Sequence, residues 1–402
     1  MQEQIKWVMN IMPKTEDTQL HVMEIEEIKK ARKFHASFPQ YEITPLVELN
    51  NMAAFLGINK VLVKDESYRF GLNAFKVLGG AFAMAKYMAQ KLDKDVCDLP
   101  YEVLVSEETR EKFGQVTFFT ATDGNHGRGV AWAANRLLQR AVVHMPKGST
   151  ITRLNHIKKE GATVTIEEVN YDECVRMAAA EAAMEPNGVM VQDTAWEGYE
   201  EIPAWIMQGY GTMAMEADEQ YVKAVGTAPT HVFVQAGVGS LAGAVQGYFT
   251  NKYPINPPKV VVVEAAEAAC LYQGAAKGTG EISIVTGDMP TIMAGLACGE
   301  PNTISWNILR NHATAFLSCT DQVTIKGMRM LAAPVKGDTP VTSGESGALP
   351  FGVLASVMTD EIYGPLREAL QLNENSNVLC FSTEGDTDPE RYQNIVWRGA
   401  ER

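Results

Sequence analysis

The chain lacks any long basic stretch; the densest, Lys29-Lys30-Ala31-Arg32-Lys33, is the length of a short helical face. Its formal net charge is −14. That balance excludes nucleic acid as a partner, because neutralising phosphates needs clustered Lys and Arg. No apolar run reaches membrane-spanning length, so no membrane partner is expected. Met1 to Met12 holds Glu3 and has no continuous apolar core, unlike a signal peptide. The six cysteines (Cys97, Cys174, Cys270, Cys298, Cys319, Cys380) include no Cys-x-x-Cys pair. Neither a metal site nor a secreted disulfide scaffold is therefore expected, and a cytoplasmic protein with reduced thiols is. Internal repeats and low-complexity segments are absent as well.

What is present is ordinary globular composition, 46% hydrophobic and 21% charged over 402 residues, enough for a sizeable core. Apolar runs are continuous rather than alternating: Val61-Leu62-Val63, Val116 to Phe119, Ala141 to His144, Val189 to Val191, His231 to Gln235, Val260 to Val263 and Val378 to Phe381. Such runs fit strands buried on both faces of a parallel sheet. Ala- and Met-rich helical stretches at 75–92, 127–140, 172–184, 202–224 and 241–250 lie between them. The alternation predicts an α/β fold. A polar stretch at 93–114 and a second break near 194–203 suggest a small α/β domain, 93–194, inserted into a larger one made of 1–92 and 195–402.

Three strings carry candidate chemistry. The first is Asn73-Ala74-Phe75-Lys76. Asn73 reads as a helix N-cap, which puts Lys76 in the first helical turn, against the macrodipole and beside the apolar Phe75. Both influences depress an amine pKa, as a lysine that bonds a carbonyl requires. The second is the loop Ala121 to Gly127, between the strand 116–119 and the helix after it. Its Asp123, Asn125 and His126 sit where open α/β sheets bind ligands, although Asp, Asn and Gly also populate such loops for turn chemistry alone. The third, Gly237-Val238-Gly239-Ser240-Leu241-Ala242-Gly243, opens a helix and can cradle an anion. By itself that loop suits NAD as well as a phosphate cofactor, since Glu264 ends the next strand like a ribose-binding acid. Its spacing, Gly-x-Gly-x-x-x-Gly, departs from the dinucleotide fingerprint. Gln192-Asp193-Thr194, Ser343 to Gly347 and Ser382 to Gly385 are further polar turns, two of them at strand ends.

Taken together, and in this order, the strings resemble those of the fold-type II pyridoxal-phosphate (PLP) enzymes, the tryptophan synthase β and threonine dehydratase superfamily. Within it the chain is similar to the diaminopropionate ammonia-lyases. The resemblance rests on Val63 to Ser67, Arg69 to Lys76, Thr122 to Gly129, Gln192 to Tyr199, Ala294 to Asn302 and Ser382 to Asp388, and covers roughly 35–400. It implies two open, mostly parallel sheets, PLP as cofactor, an amino-acid substrate and a homodimer. The activity it implies is α,β-elimination of D- and L-2,3-diaminopropionate to pyruvate and two ammonia.

The same resemblance implies residue roles. Lys76 holds PLP and serves as base for the L isomer, with Phe75 beside it. Asp123 serves as base for the D isomer, and Asp193 holds or assists the leaving β-amine. Thr122 and His126 lie near substrate. Gly237, Val238, Gly239, Ser240, Leu241, Ala242 and Gly243 bind phosphate, Asn125 the ring oxygen and Ser382 the ring nitrogen. Cys270 and Cys298 match positions that can form a disulfide in relatives. Dehydratases carry Ser where this chain has Asp123, a far better proton acceptor near neutral pH. Threonine or serine dehydratase is the nearest alternative; an NAD-dependent dehydrogenase and a non-catalytic ligand-binding relative are more distant ones.

Overall fold

The continuous apolar runs form the middle of two sheets. The computed structural model of the protein describes residues 4–16, 18–122 and 124–400. Its strands are β1 (Ile5–Met9), β2 (Leu46–Glu48), β3 (Lys60–Asp65), β4 (Thr117–Ala121), β5 (Arg140–Met145), β6 (Thr163–Ile166), β7 (Gly188–Met190), β8 (His231–Gln235), β9 (Lys259–Ala265), β10 (Ala315–Cys319) and β11 (Asn377–Ser382). The larger sheet runs β1-β10-β9-β8-β11-β3-β2 and the smaller β6-β5-β4-β7. The five inner strands of the large sheet and all four of the small one are parallel; β1 and β2 close the large sheet's edges antiparallel. Register aligns apolar side chains across the sheet: Leu379 pairs with Leu62 on one side and Val232 on the other. Parallel strands share one C-terminal edge, so the loops after β3, β8 and β11 gather there.

The helices that matter to the site are α1 (Ile25–Ala36), α2 (Val77–Lys91), α3 (Asn125–Arg136), α4 (Tyr171–Met184), α5 (Glu201–Val225), α6 (Ser240–Lys252), α7 (Cys270–Lys277) and α8 (Thr303–His312). One core, with Phe82, Tyr210, Phe249 and Phe381, covers one face of the large sheet and continues under the small sheet through Phe118, Val130 and Trp132. A second, with Phe233, Val263 and Phe351, covers the opposite face. The helix α2 is buried almost all round, which suits an element wedged between the two sheets rather than lying on a surface.

Two expectations change. Asn73 is not an N-cap: it sits in the left-handed region at φ 62°, and Lys76 itself occupies the N-cap position before Val77. Asn and Asp tolerate that backbone because their short polar side chains bond locally, and here Asn73 Nδ2 donates to Asp386 Oδ1 at 3.0 Å. Strands β1, β2, β6 and β10 have no counterpart among the expected ones. The first thirty-odd residues, given no role from sequence, supply β1, which pairs with β10.

The turn leading to Lys76 stands on a buried ion network. Arg69 donates to both oxygens of Glu66 (2.8 and 2.9 Å) and of Glu216 (3.0 and 2.6 Å). Lys64 adds a bond to Glu216 at 3.0 Å, and Tyr41 and Thr44 complete the carboxylates at 2.6 Å each. All four ions are essentially inaccessible. Removing one partner from such a set costs about 3–5 kcal/mol, because the others stay buried without compensation. The network explains the Val63 to Ser67 string as structure rather than chemistry.

Candidate active site

One cavity opens at the C-terminal edge of the large sheet, where open α/β sheets bind ligands. Its walls include Phe75, Lys76, Asn125, Asp193, Tyr210 and the run Gly237 to Leu241. Segments about 160 residues apart in sequence therefore meet in one place.

Lys76 is delivered by a short antiparallel clasp. Phe75 N donates to Thr383 O (3.1 Å), Gly385 N donates to Asn73 O (3.0 Å), and Ala74 faces Glu384 between them. Beyond the clasp, Lys76 Nζ donates to Asp193 Oδ2 at 2.6 Å. Asp193, three residues beyond the end of β7, is buried. Burial pushes its carboxyl up, but the neighbouring Lys76 ammonium and the His126 ring outweigh it and hold the group down at about 2. Tyr210 Oη donates to the same oxygen at 3.3 Å. Burial and the Asp193 charge push that phenol far up, so it stays protonated and remains a donor. The other oxygen, Asp193 Oδ1, has no hydrogen-bond partner among the described residues.

The glycine loop leaves β8 at Gln235 and enters α6. Gly239 caps that helix at φ 100°, a backbone that a Cβ disfavours, and among the described residues no side chain caps the helix's first N–H groups. Gly237, Val238, Gly239, Ser240 and Leu241 line the cavity; Ala242 and Gly243 do not. Gly243 instead lies where α6 meets α8, and a Cβ there would strike the Ser305 side chain. Ser240 Oγ donates to the Asp193 carbonyl, which also accepts from Asn302 Nδ2 at 3.1 Å. The loop and the acid are thus tied together through backbone.

The remaining expected residues have definite places. Asn125 opens α3, and its amide donates to Glu384 Oε2. Thr122 Oγ1 accepts from Gly124 N at 2.9 Å, and His126 Nε2 sits 2.9 Å from the Val191 carbonyl; both are buried and neither lines the cavity. Ser382 is buried at the end of β11, its Oγ bonded to Ser343 Oγ at 2.8 Å. Asp123 lies outside the described residues. Cys270 and Cys298 are not joined by a disulfide in this structure; Cys298 lines the cavity, and Cys270 Sγ approaches the carbonyls of Gly237 and Cys298.

Glu264 corrects the NAD reading. Both its oxygens accept backbone N–H bonds at the start of α7, from Leu271 (2.9 Å) and Tyr272 (2.6 Å). It is committed to a helix end and does not face the glycine loop as a ribose ligand. Burial, only partly offset by those bonds, pushes its carboxyl up to about 8.

Sequence reasoning missed Tyr210 and Gln235. Gln235 Nε2 donates to Thr383 Oγ1 at 2.6 Å, while its Oε1 has no partner among the described residues. A Gln ending an apolar strand just before a glycine loop was a usable signal; Tyr210, one of three aromatics in a 25-residue helix, gave none.

These features fit PLP. An uncapped helix N-terminus behind a glycine loop suits its phosphate, a lysine at the cavity wall suits its aldehyde, and unpartnered polar atoms remain for polar ligand groups. Fold and site define a PLP-dependent enzyme with two open, mostly parallel sheets. The chain belongs to the pyridoxal-phosphate dependent enzyme family, whose family model matches residues 38–380. Among curated proteins it is 52% identical over 367 residues to the diaminopropionate ammonia-lyase of Salmonella typhimurium, covering 91% of each chain. Among solved structures it is similar to Escherichia coli diaminopropionate ammonia-lyase in complex with D-serine (TM-score 0.90, 45% identity, 99% of this chain and 98% of that one). It is similar also to the same enzyme in complex with an aminoacrylate–PLP reaction intermediate (TM-score 0.89, 45% identity, the same coverage).

Proposed function

We propose that this chain is a PLP-dependent carbon–nitrogen lyase that converts D- and L-2,3-diaminopropionate to pyruvate and two ammonia. The observation that carries the reading is the meeting of Lys76, Asp193 and the Gly237 to Leu241 loop in one cavity. PLP, held by Lys76, supplies an electron sink for the pair left at the substrate Cα. Lys76 Nζ takes the Cα proton of the L isomer. Asp123 takes that of the D isomer. The Lys76 ammonium and the His126 ring hold the Asp193 carboxyl down against its burial, so in this site it is an anion. It therefore binds the cationic β-ammonium rather than donating a proton, and it keeps that nitrogen protonated as the C–N bond breaks. Oδ1, which has no hydrogen-bond partner among the described residues, is open to this contact, with Tyr210 on Oδ2. Serine and threonine carry no such cation, which favours diaminopropionate over a dehydratase substrate.

Gly237 to Gly243 form the phosphate arm, with Gly243 contributing through the α6–α8 contact. Asn125 takes the ring oxygen and Ser382 the ring nitrogen. Residues 93–194 form the small domain, and the protein works as a cytoplasmic homodimer. The testing experiment is release of pyruvate and ammonia from each diaminopropionate isomer, with D- and L-serine alongside. Turnover of serine matching that of diaminopropionate would return the dehydratase reading.

A further inference from the structure

The turn Ser343 to Gly347 and the strand end Ser382 to Gly385 have no assigned part beyond Ser382. They are packed into one unit. Gly344 N donates to Glu384 O (2.9 Å), and Ser346 N donates to Glu384 Oε1 (2.9 Å). A Cβ on Gly344 would strike the Gly385 carbonyl, so the approach requires glycine there. The same Glu384 faces Ala74 in the clasp that delivers Lys76, and its Oε2 accepts from Asn125 Nδ2. Glu384 is 4% exposed and lines the cavity. One residue thus joins three segments: its backbone meets the lysine segment and Gly344, and its carboxylate meets Asn125 and Ser346.

We propose that Glu384 is a positioning residue of the cofactor site, fixing the rotation of the Asn125 amide. A carboxylate only accepts, so it must face the NH₂ end of the amide and never the carbonyl. The amide nitrogen has two hydrogens. Glu384 takes one, which leaves the other for the PLP ring oxygen. Without Glu384 the amide is free to turn, and half of its orientations would aim a carbonyl at an oxygen. The buried Ser346 N–H bond keeps Glu384 itself from swinging away. This inference rests on the PLP reading and on Asn125 meeting the ring.

The test is a double-mutant cycle on the full chain, read by PLP titration of the cofactor-free protein and by the position of the visible PLP band. Glu384→Ala should weaken PLP binding about tenfold, the scale of a lost charge-assisted hydrogen bond. Glu384→Gln, which can still present an oxygen to Asn125, should recover most of that loss. In an Asn125→Ala background, Glu384→Ala should change PLP affinity less than about twofold, because its target is gone. The band should shift in the same direction in both single variants. Equal fold-losses with and without Asn125 would overturn the proposal, as would a Gln variant as impaired as Ala. If Glu384→Ala fails to fold, Glu384→Ser completes the same cycle. A wild-type chain that takes up no PLP would overturn the cofactor reading and this proposal together, whereas normal uptake with additive losses overturns the proposal alone.

Discussion

Lys76 Nζ and Asp193 Oδ2 lie 2.6 Å apart, a lysine from the edge of the large sheet bonded to a carboxylate from the end of the small one. The pair spans the two sheets, and the contact between them defines the chemistry. It also supplies a charge partner for the lysine that its own sequence string did not indicate.

Replacing Lys76 by Ala should abolish the visible band of lysine-bound PLP. Borohydride treatment followed by peptide mapping should then find no labelled lysine. A persistent reducible band would mean that another lysine holds the cofactor.

Asp193→Asn keeps the shape and removes the charge. A buried, hydrogen-bonded charge contact is worth about 2–5 kcal/mol when one partner is truncated. The kcat/KM for diaminopropionate should therefore fall about 100-fold or more. Residual serine turnover, which needs no β-ammonium contact, should fall at least tenfold less. Parallel losses for both substrates would remove Asp193 from the β-nitrogen.

Asp123→Asn should impair the D isomer and largely spare the L isomer. Steady-state assays on each pure isomer decide this, and equal losses would sink the assignment of two bases.

His35 offers a pH prediction. Its ring is buried, with Nδ1 2.9 Å from Thr212 Oγ1 and Nε2 2.9 Å from the Leu78 carbonyl. Burial outweighs the Leu78 bond and lowers its pKa to about 3. Between about 3 and the ordinary value of 6.5 the unfolded chain holds a proton there that the folded chain does not. Its contribution is therefore complete above pH 6.5 and is lost as pH falls through that window, by up to about 1.4 kcal/mol per pH unit. Urea midpoints should drop as the pH is lowered from 6.5, and His35→Gln should flatten that slope. An unchanged slope in the variant would show that other groups set the acid limit.

Most interior strands were legible because a parallel strand is apolar on both faces; His231 to Gln235 was read with its observed bounds, while β10, equally buried, was missed. The edge strands β1, β2 and β6 were not, since they are partly exposed; β7, at the small sheet's other edge, was read to within one residue. Lys76 and the glycine loop were legible because cofactor-bonding groups cluster in short strings. The start of α2 was misread because Asn73 serves a left-handed turn as readily as an N-cap. Glu264 left the NAD alternative open because a carboxylate ending a strand looks the same whichever neighbour it turns to. Glu384 and Asn125 are 259 positions apart, and only the folded chain relates them.

The clasp between Asn73–Phe75 and Thr383–Gly385 joins segments near opposite ends of the chain. Such closures are late events, since a long loop must be ordered before the contact rewards it. Lysine-bound PLP should therefore appear only after most secondary structure has formed. The growth of the visible band during refolding would act as a clock for the final step, and a nascent chain stopped short of residue 383 should stay colourless however well its small sheet has formed.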